Sequence, residues 1–185
     1  MLSIVIPTRN AAAGLGATLA ALAPDTGNTG NTGNTGNTGN IEVIVVDGGS
    51  TDQTVVIAAD HGARLVETAG GRGLQLATGA DTAKGDWLLF LHGDTVLSAS
   101  WAAAAGAFMA DPANRGGGGG VFRFRLDDDS PVARRLERLV AWRGRVLGLP
   151  YGDQGLLMAR ATYEGLGGFR PLPLMEDVDM ARRIG

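Results

Sequence analysis

The chain has 185 residues, 44% of them hydrophobic and 19% charged, a size and balance that suit one globular domain with a sizeable core. Its net charge of −3 argues against a nucleic-acid binder, since the chain carries no excess of positive charge to offset phosphate. The absence of cysteine rules out a disulfide framework, a thiolate metal site and a cysteine nucleophile, and fits a reducing, cytoplasmic setting.

Ser3–Pro7 is a short β-branched run and reads as a strand, with no basic flank that would make it a signal peptide. Ala12–Ala23 is an Ala/Leu helix. Ile41–Asp47 is a second strand, after which Ser50-Thr51-Asp52 is expected to cap a helix reaching about Gly62. Arg64–Glu67 is a third strand, Gly73–Thr82 a helix, Trp87–Leu91 a fourth strand and Ala99–Met109 another helix. Continuous apolar strands alternating with helices imply a mostly parallel central sheet with helices on both faces, an α/β Rossmann-like architecture. No stretch approaches the length of apolar chain needed to span a bilayer.

Beyond Gly120 the pattern changes. Val121–Leu126 (VFRFRL) alternates apolar and basic residues and reads as a half-exposed strand. Pro131–Leu147 is an amphipathic, Arg-rich helix, which leaves membrane-surface contact open without indicating it. Gly155–Arg160 reads as a short strand and Met175–Ile184 as a helix. This half is expected to form the acceptor side of a single domain over residues 1–185, with a C-terminal segment missing because the last helix stops early. Thr26–Asn40 repeats Thr-Gly-Asn; lacking apolar side chains, it is expected to be a mobile loop.

Several residues suggest chemistry on their own. Asp94 follows an apolar strand, and open α/β sheets hold ligands at the carboxyl ends of their strands. Gly70-Gly71-Arg72-Gly73 precedes a helix, where glycine admits close approach of a phosphate and Arg72 can pair with it; an ordinary loop with a solvated arginine reads equally well. Glu176 and Asp177 begin the last helix, where acids complement the helix dipole whatever else they do.

The segments SIVIPTRNAAAGLGATLAAL, IEVIVVDGGSTDQT, AKGDWLLFLHGDT, GLGGF and MEDVDMARR, in this order and spacing, resemble the family-2 glycosyltransferases of the GT-A fold. Within that family the chain looks like a bacterial subgroup linked by name to arsenosugar biosynthesis, with GRGxQ, LHxDT and GDQ segments. The resemblance implies a nucleotide-sugar donor, a hydroxyl acceptor not identifiable from the sequence, and transfer with inversion. It assigns donor binding to Pro7, Thr8 and Asn10 at the first strand end, to Asp47 at the second, to Arg72 and Gly73, and to Asp153 and Gln154 before a late strand. It assigns a divalent metal, Mg²⁺ or Mn²⁺, to Asp94. His92 stands where the family carries an acid and is read as a packed imidazole, with a metal ligand as the alternative. Ala11 and Gly48 also replace acids common in the family.

The catalytic base is expected to be Asp177, with Glu176 as the alternative. Asp179 is read as a surface residue, Arg182-Arg183 as either a diphosphate contact or a solvated face, and Gly167-Gly168-Phe169 as a structural turn. Two competing functions stand beside this one. A sugar-nucleotide nucleotidyltransferase is partly echoed by Gly70–Leu76, and a non-catalytic nucleotide-sugar binder would accommodate the lost acids.

Overall fold

A computed structural model describes residues 1–26, 41–147, 154–172 and 174–184. Strands β1 (Leu2–Thr8), β2 (Ile41–Asp47), β3 (Arg64–Glu67) and β4 (Trp87–Phe90) alternate with helices α1 (Ala12–Thr26), α2 (Thr54–Asp60) and α3 (Arg72–Thr82). Helix α4 (Trp101–Ala110), the short strand β5 (Gly120–Val121), α5 (Pro131–Leu147), β6 (Leu156–Ala159), α6 (Arg160–Gly165) and α7 (Glu176–Ile184) follow. The described strands form one sheet in the order β3-β2-β1-β4-β6-β5. The β3-β2-β1-β4 part is parallel, while β6 runs antiparallel to β4 and β5 antiparallel to β6.

The strands read as unbroken apolar runs because both of their faces are covered. Alternate residues then point to opposite faces. Ile4 and Ile6 of β1, Val43 and Val45 of β2, and Leu89 of β4 meet Leu15, Leu19 and Leu22 of α1 with Trp101 and Ala105 of α4. Val5, Ile44, Val46, Leu88 and Phe90 point the other way, against Leu76 and Ala80 of α3, Tyr163 of α6 and Met180 of α7. Fully burying one such side chain stabilises the fold by roughly 1.5–3 kcal/mol, so these layers hold the strand ends in register.

Two expectations need correcting, and one helix is added. The helix after β2 begins at Thr54, because Ser50 bonds Asp47 instead of capping it while Asp52 accepts from the Thr54 amide. Of the expected VFRFRL strand only Val121 pairs with β6, together with Gly120 before it; farther along, the Leu126 amide donates to Glu137 of α5, so the ladder ends. Helix α6, unread in the sequence, is short and held largely by Arg160, whose guanidinium donates to the carbonyls of Ala80, Ala83 and Gly85.

The expected turn at Gly167 and Gly168 does have positive φ at both residues, and it delivers Phe169 against Phe90 and Tyr163. On α5, Val132, Leu136 and Leu139 are exposed. No helix among the described residues is long and apolar enough to cross a membrane. The Thr-Gly-Asn repeat beyond Thr26 lies outside the described residues.

Candidate functional site

The chain reverses its direction of travel across the sheet at β1. Strands β2 and β3 lie on one side of β1, and β4 on the other. Loops leaving the carboxyl ends of β1 and β4 therefore diverge and leave a crevice between them. A cleft of about 360 Å³ opens there, lined by Pro7, Thr8 and Asn10 after β1, Arg72 and Gln75 of α3, and His92 and Asp94 after β4. Of the expected donor residues, Pro7, Thr8, Asn10 and Arg72 share this cleft with the expected metal ligand Asp94.

Asp47, expected to contact the donor, does not line this cleft: it is buried at the end of β2, bonded to Thr8 of the neighbouring strand. Its Oδ1 accepts from the Thr8 hydroxyl at 3.0 Å and the Ser50 hydroxyl at 2.5 Å. Its Oδ2 accepts from the amides of Gly49 at 3.0 Å and Ser50 at 2.7 Å. Burial pushes the pKa up, but the bonds from Ser50, Thr8 and Gly49 outweigh it and hold the carboxyl below its ordinary value. An ionised carboxylate has about four acceptor positions, so a nucleoside contact at Asp47 has to displace one of these donors. The network continues outward. The Asn10 amide donates to Ser50 Oγ, and Asn10 Oδ1 accepts from the Thr51 amide. Asn10 itself sits at φ 52°, a left-handed conformation that Asn tolerates better than most residues.

Gln75, the glutamine of the GRGxQ segment, ties the strand ends together. It is buried, and its Nε2 donates to the carbonyls of Thr8 at 2.7 Å and Val46 at 3.1 Å. The signal was a lone amide beside Leu76 on the buried face of α3. A Cβ on Gly48 would lie 2.6 Å from that Nε2. Gly48, where many family members carry an acid, is therefore matched to Gln75.

Arg72 opens α3, and its side chain is 44% exposed. Its Nη1 lies 3.5 Å from Glu176 Oε1 and 3.4 Å from His92 Nε2. Gly73 does not line the cleft: a Cβ there would lie 2.2 Å from the Arg170 carbonyl oxygen, so its missing side chain admits the chain before α7. Asp94 is exposed at the cleft rim, and the loop before it is anchored by the Thr18 hydroxyl, which donates to the Gly93 carbonyl.

Among the described residues no three His, Cys, Asp or Glu side chains gather as a ready-made metal cage. Asp94, exposed on the polar cleft, could offer one hard carboxylate to a Mg²⁺ or Mn²⁺.

The two acids that open α7 differ. Glu176 is 1% exposed, whereas Asp177 is half-buried with Oδ1 accepting from the Val178 amide. Both border a small apolar recess beside the cleft, walled by Leu76, Phe90 and Phe169 and sharing His92 with it. Gln154 is buried away from the cleft, donating to the Phe122 carbonyl while the Phe122 amide donates to its own. Asp153 lies outside the described residues.

Asp179 is not a free surface acid, since it pairs with both Arg170 and Arg183. Arg183 is not a solvated residue, because besides pairing with Asp179 it donates to the carbonyls of Leu166 and Gly168. Arg182 is exposed.

A doubly covered, mostly parallel sheet with a polar cleft at its switch point is the architecture of a nucleotide-handling domain. Residues 3–150 match Glycosyl transferase family 2, and the chain belongs to that family. The PGL/p-HBAD biosynthesis glycosyltransferase of Mycobacterium bovis (strain BCG / Pasteur 1173P2) is 38% identical over 119 residues, covering 60% of this chain and 42% of that protein. The chain thus spans less than half the length of this curated relative.

Among solved structures, S. aureus TarS 1-349 superposes with a TM-score of 0.74 at 19% identity, covering 99% of this chain and 54% of that one. Glucosyl-3-phosphoglycerate synthase from Mycobacterium tuberculosis, in complex with Mn²⁺, UDP and glucosyl-3-phosphoglycerate, gives 0.64 at 24% identity, covering 100% and 66%. A mannosyltransferase from Pyrobaculum calidifontis, with GDP-Man and Mn²⁺, gives 0.61 at 22% identity, covering 92% and 47%. The fold of this chain is the GT-A fold.

Proposed function

We propose that this chain transfers a sugar from a nucleotide-diphosphate donor to an acceptor hydroxyl, with inversion at the transferred carbon. The observation that carries the reading is the cleft between β1 and β4, where Arg72 and Asp94 both border one polar space. Pro7, Thr8 and Asn10 face the nucleoside end of the donor. Arg72 donates to diphosphate oxygens. Asp94 holds a Mg²⁺ or Mn²⁺ ion that, when bound, offsets the charge growing on the departing nucleotide. Asp177 accepts the acceptor's proton as its oxygen attacks the anomeric carbon and the bond to the diphosphate breaks. A single displacement of this kind inverts the centre. The metal-bearing complexes of the fold neighbours support the donor and metal parts of this reading.

The likeness to the arsenosugar-linked subgroup does not fix the substrate, because the curated relative matched is named for PGL/p-HBAD biosynthesis. Calorimetric titration of UDP and GDP, with and without Mn²⁺, followed by a donor-turnover assay, tests the proposal. Metal-enhanced binding with turnover supports it. Binding without turnover of any donor and acceptor pair reduces the chain to a binding relative. Pyrophosphate release from a nucleoside triphosphate and a sugar phosphate transfers the assignment to a nucleotidyltransferase.

A further inference from the structure

We propose that Glu176 is a positioning residue that holds the Arg72 guanidinium in place in the diphosphate site, so that diphosphate binding keeps a substantial part independent of metal. The inference rests on the donor-binding reading above.

Arg72 occupies an unfavourable place for a cation. It is the first residue of α3, where the helix dipole favours negative charge. A counter-charge is needed, and it comes from the first residue of another helix. Glu176 opens α7, has 1% exposure, and points Oε1 at Arg72 Nη1 from 3.5 Å. That oxygen has no hydrogen bond in the structure, so the ion pair is its compensation for burial; a buried charge without a partner is strongly destabilising.

The backbone enforces the approach. Met175, just before Glu176, is held at φ 65°, a conformation that costs energy in an unbranched apolar residue. Gly73 packs against the carbonyl of Arg170 and the backbone of Leu172, which brings the N-terminus of α3 to the segment leading into α7. On its other side Arg72 meets His92 Nε2 at 3.4 Å. A carboxylate at that point would add a second hard ligand for a metal. An imidazole is a softer ligand without negative charge, and the guanidinium beside it supplies positive charge to the cleft at this position.

Glu176 takes one side of the guanidinium, and the remainder, which leaves the side chain 44% exposed, borders the cleft. An arginine already oriented loses less freedom on meeting a diphosphate and can present paired N–H donors.

The test is calorimetry of UDP and GDP, taking the tighter binder, in EDTA and in Mn²⁺. Wild type is compared with Arg72→Ala, Glu176→Gln and the double variant, with the matching nucleoside as a control. Affinity of wild type in EDTA is expected to stay within about tenfold of that in Mn²⁺. Arg72→Ala and Glu176→Gln are each expected to lower the EDTA affinity for the diphosphate by about tenfold, the size of one charge-assisted contact. Nucleoside affinity should not change, which a general loss of structure would not spare. The double variant should bind no worse than Arg72→Ala, because Glu176 acts through Arg72.

Thermal midpoints supply a second readout. Arg72→Ala strands a buried carboxylate, so adding Glu176→Gln to it should raise the midpoint. Complete loss of diphosphate binding by wild type in EDTA overturns the inference. So do unchanged diphosphate affinity in Glu176→Gln, additive losses in the double variant, or a double variant less stable than Arg72→Ala. Failure of both nucleotides to bind even with Mn²⁺ instead overturns the donor-site reading itself.

Discussion

Replacing Asp47 with Asn keeps the shape of the side chain and removes its charge. The structure indicates how the amide must sit. The Gly49 and Ser50 amides at Oδ2 can only donate, so the new carbonyl oxygen has to face them. The amino group then faces the hydroxyls of Thr8 and Ser50, which must turn to accept. Four bonds to a charged acceptor become bonds between neutral groups. Each such change costs about 1 kcal/mol, the difference between charged and neutral hydrogen bonds, and relief from burying a charge returns part of the total. A net loss of about 2–3 kcal/mol follows, or about 4–12 °C in thermal midpoint for a chain of this length.

The effect must depend on pH. The native carboxyl titrates below its ordinary value, so its stabilisation is fully present above the unfolded-state pKa and is lost as pH falls through the lowered native one. Urea unfolding of both proteins at neutral pH and at about pH 3 measures the gap between them, which should narrow in acid. A gap of the same size at both values would show that the charge of Asp47 contributes nothing, and would refute the four-bond account.

Other changes follow from the same geometry. Gly48→Ala should displace the Gln75 amide and cost about 1–3 kcal/mol, the worth of its two hydrogen bonds; a double-mutant cycle in urea should show the cost largely absent once Gln75→Ala is present. Asp94→Ala should abolish most of the enhancement that Mn²⁺ gives to nucleoside diphosphate affinity, with His92→Ala doing less, as read by calorimetry. Asp177→Asn should lower turnover by about 10²–10⁴-fold, the usual contribution of a general base, with donor affinity nearly unchanged; turnover close to normal in that variant would remove Asp177 as the base.

Runs such as Ser3–Pro7 and Ile41–Asp47 were legible in the sequence because a strand covered on both faces must be apolar throughout, and that requirement is local. The helices between them followed from spacing, and a parallel, doubly covered sheet followed from the alternation. From that pattern the end of β4, with Asp94, could be marked as a candidate site position, whereas Thr8 and Asp47 were expected there only from the family resemblance. Local pattern could not show that Asp47 would be surrounded by donors from Thr8, Gly49 and Ser50, or that VFRFRL would leave the sheet after Val121.

Nor could it show which charges meet. Arg72, His92 and Glu176 are separated by up to 104 positions in the chain, and they converge because β1 lies between β2 and β4 and α7 returns over the same face as α3. Amphipathic period reports which face of an element is buried. Coulombic and hydrogen-bond partners are set by distance between elements, and that is decided only when the sheet order and the helix crossings are in place.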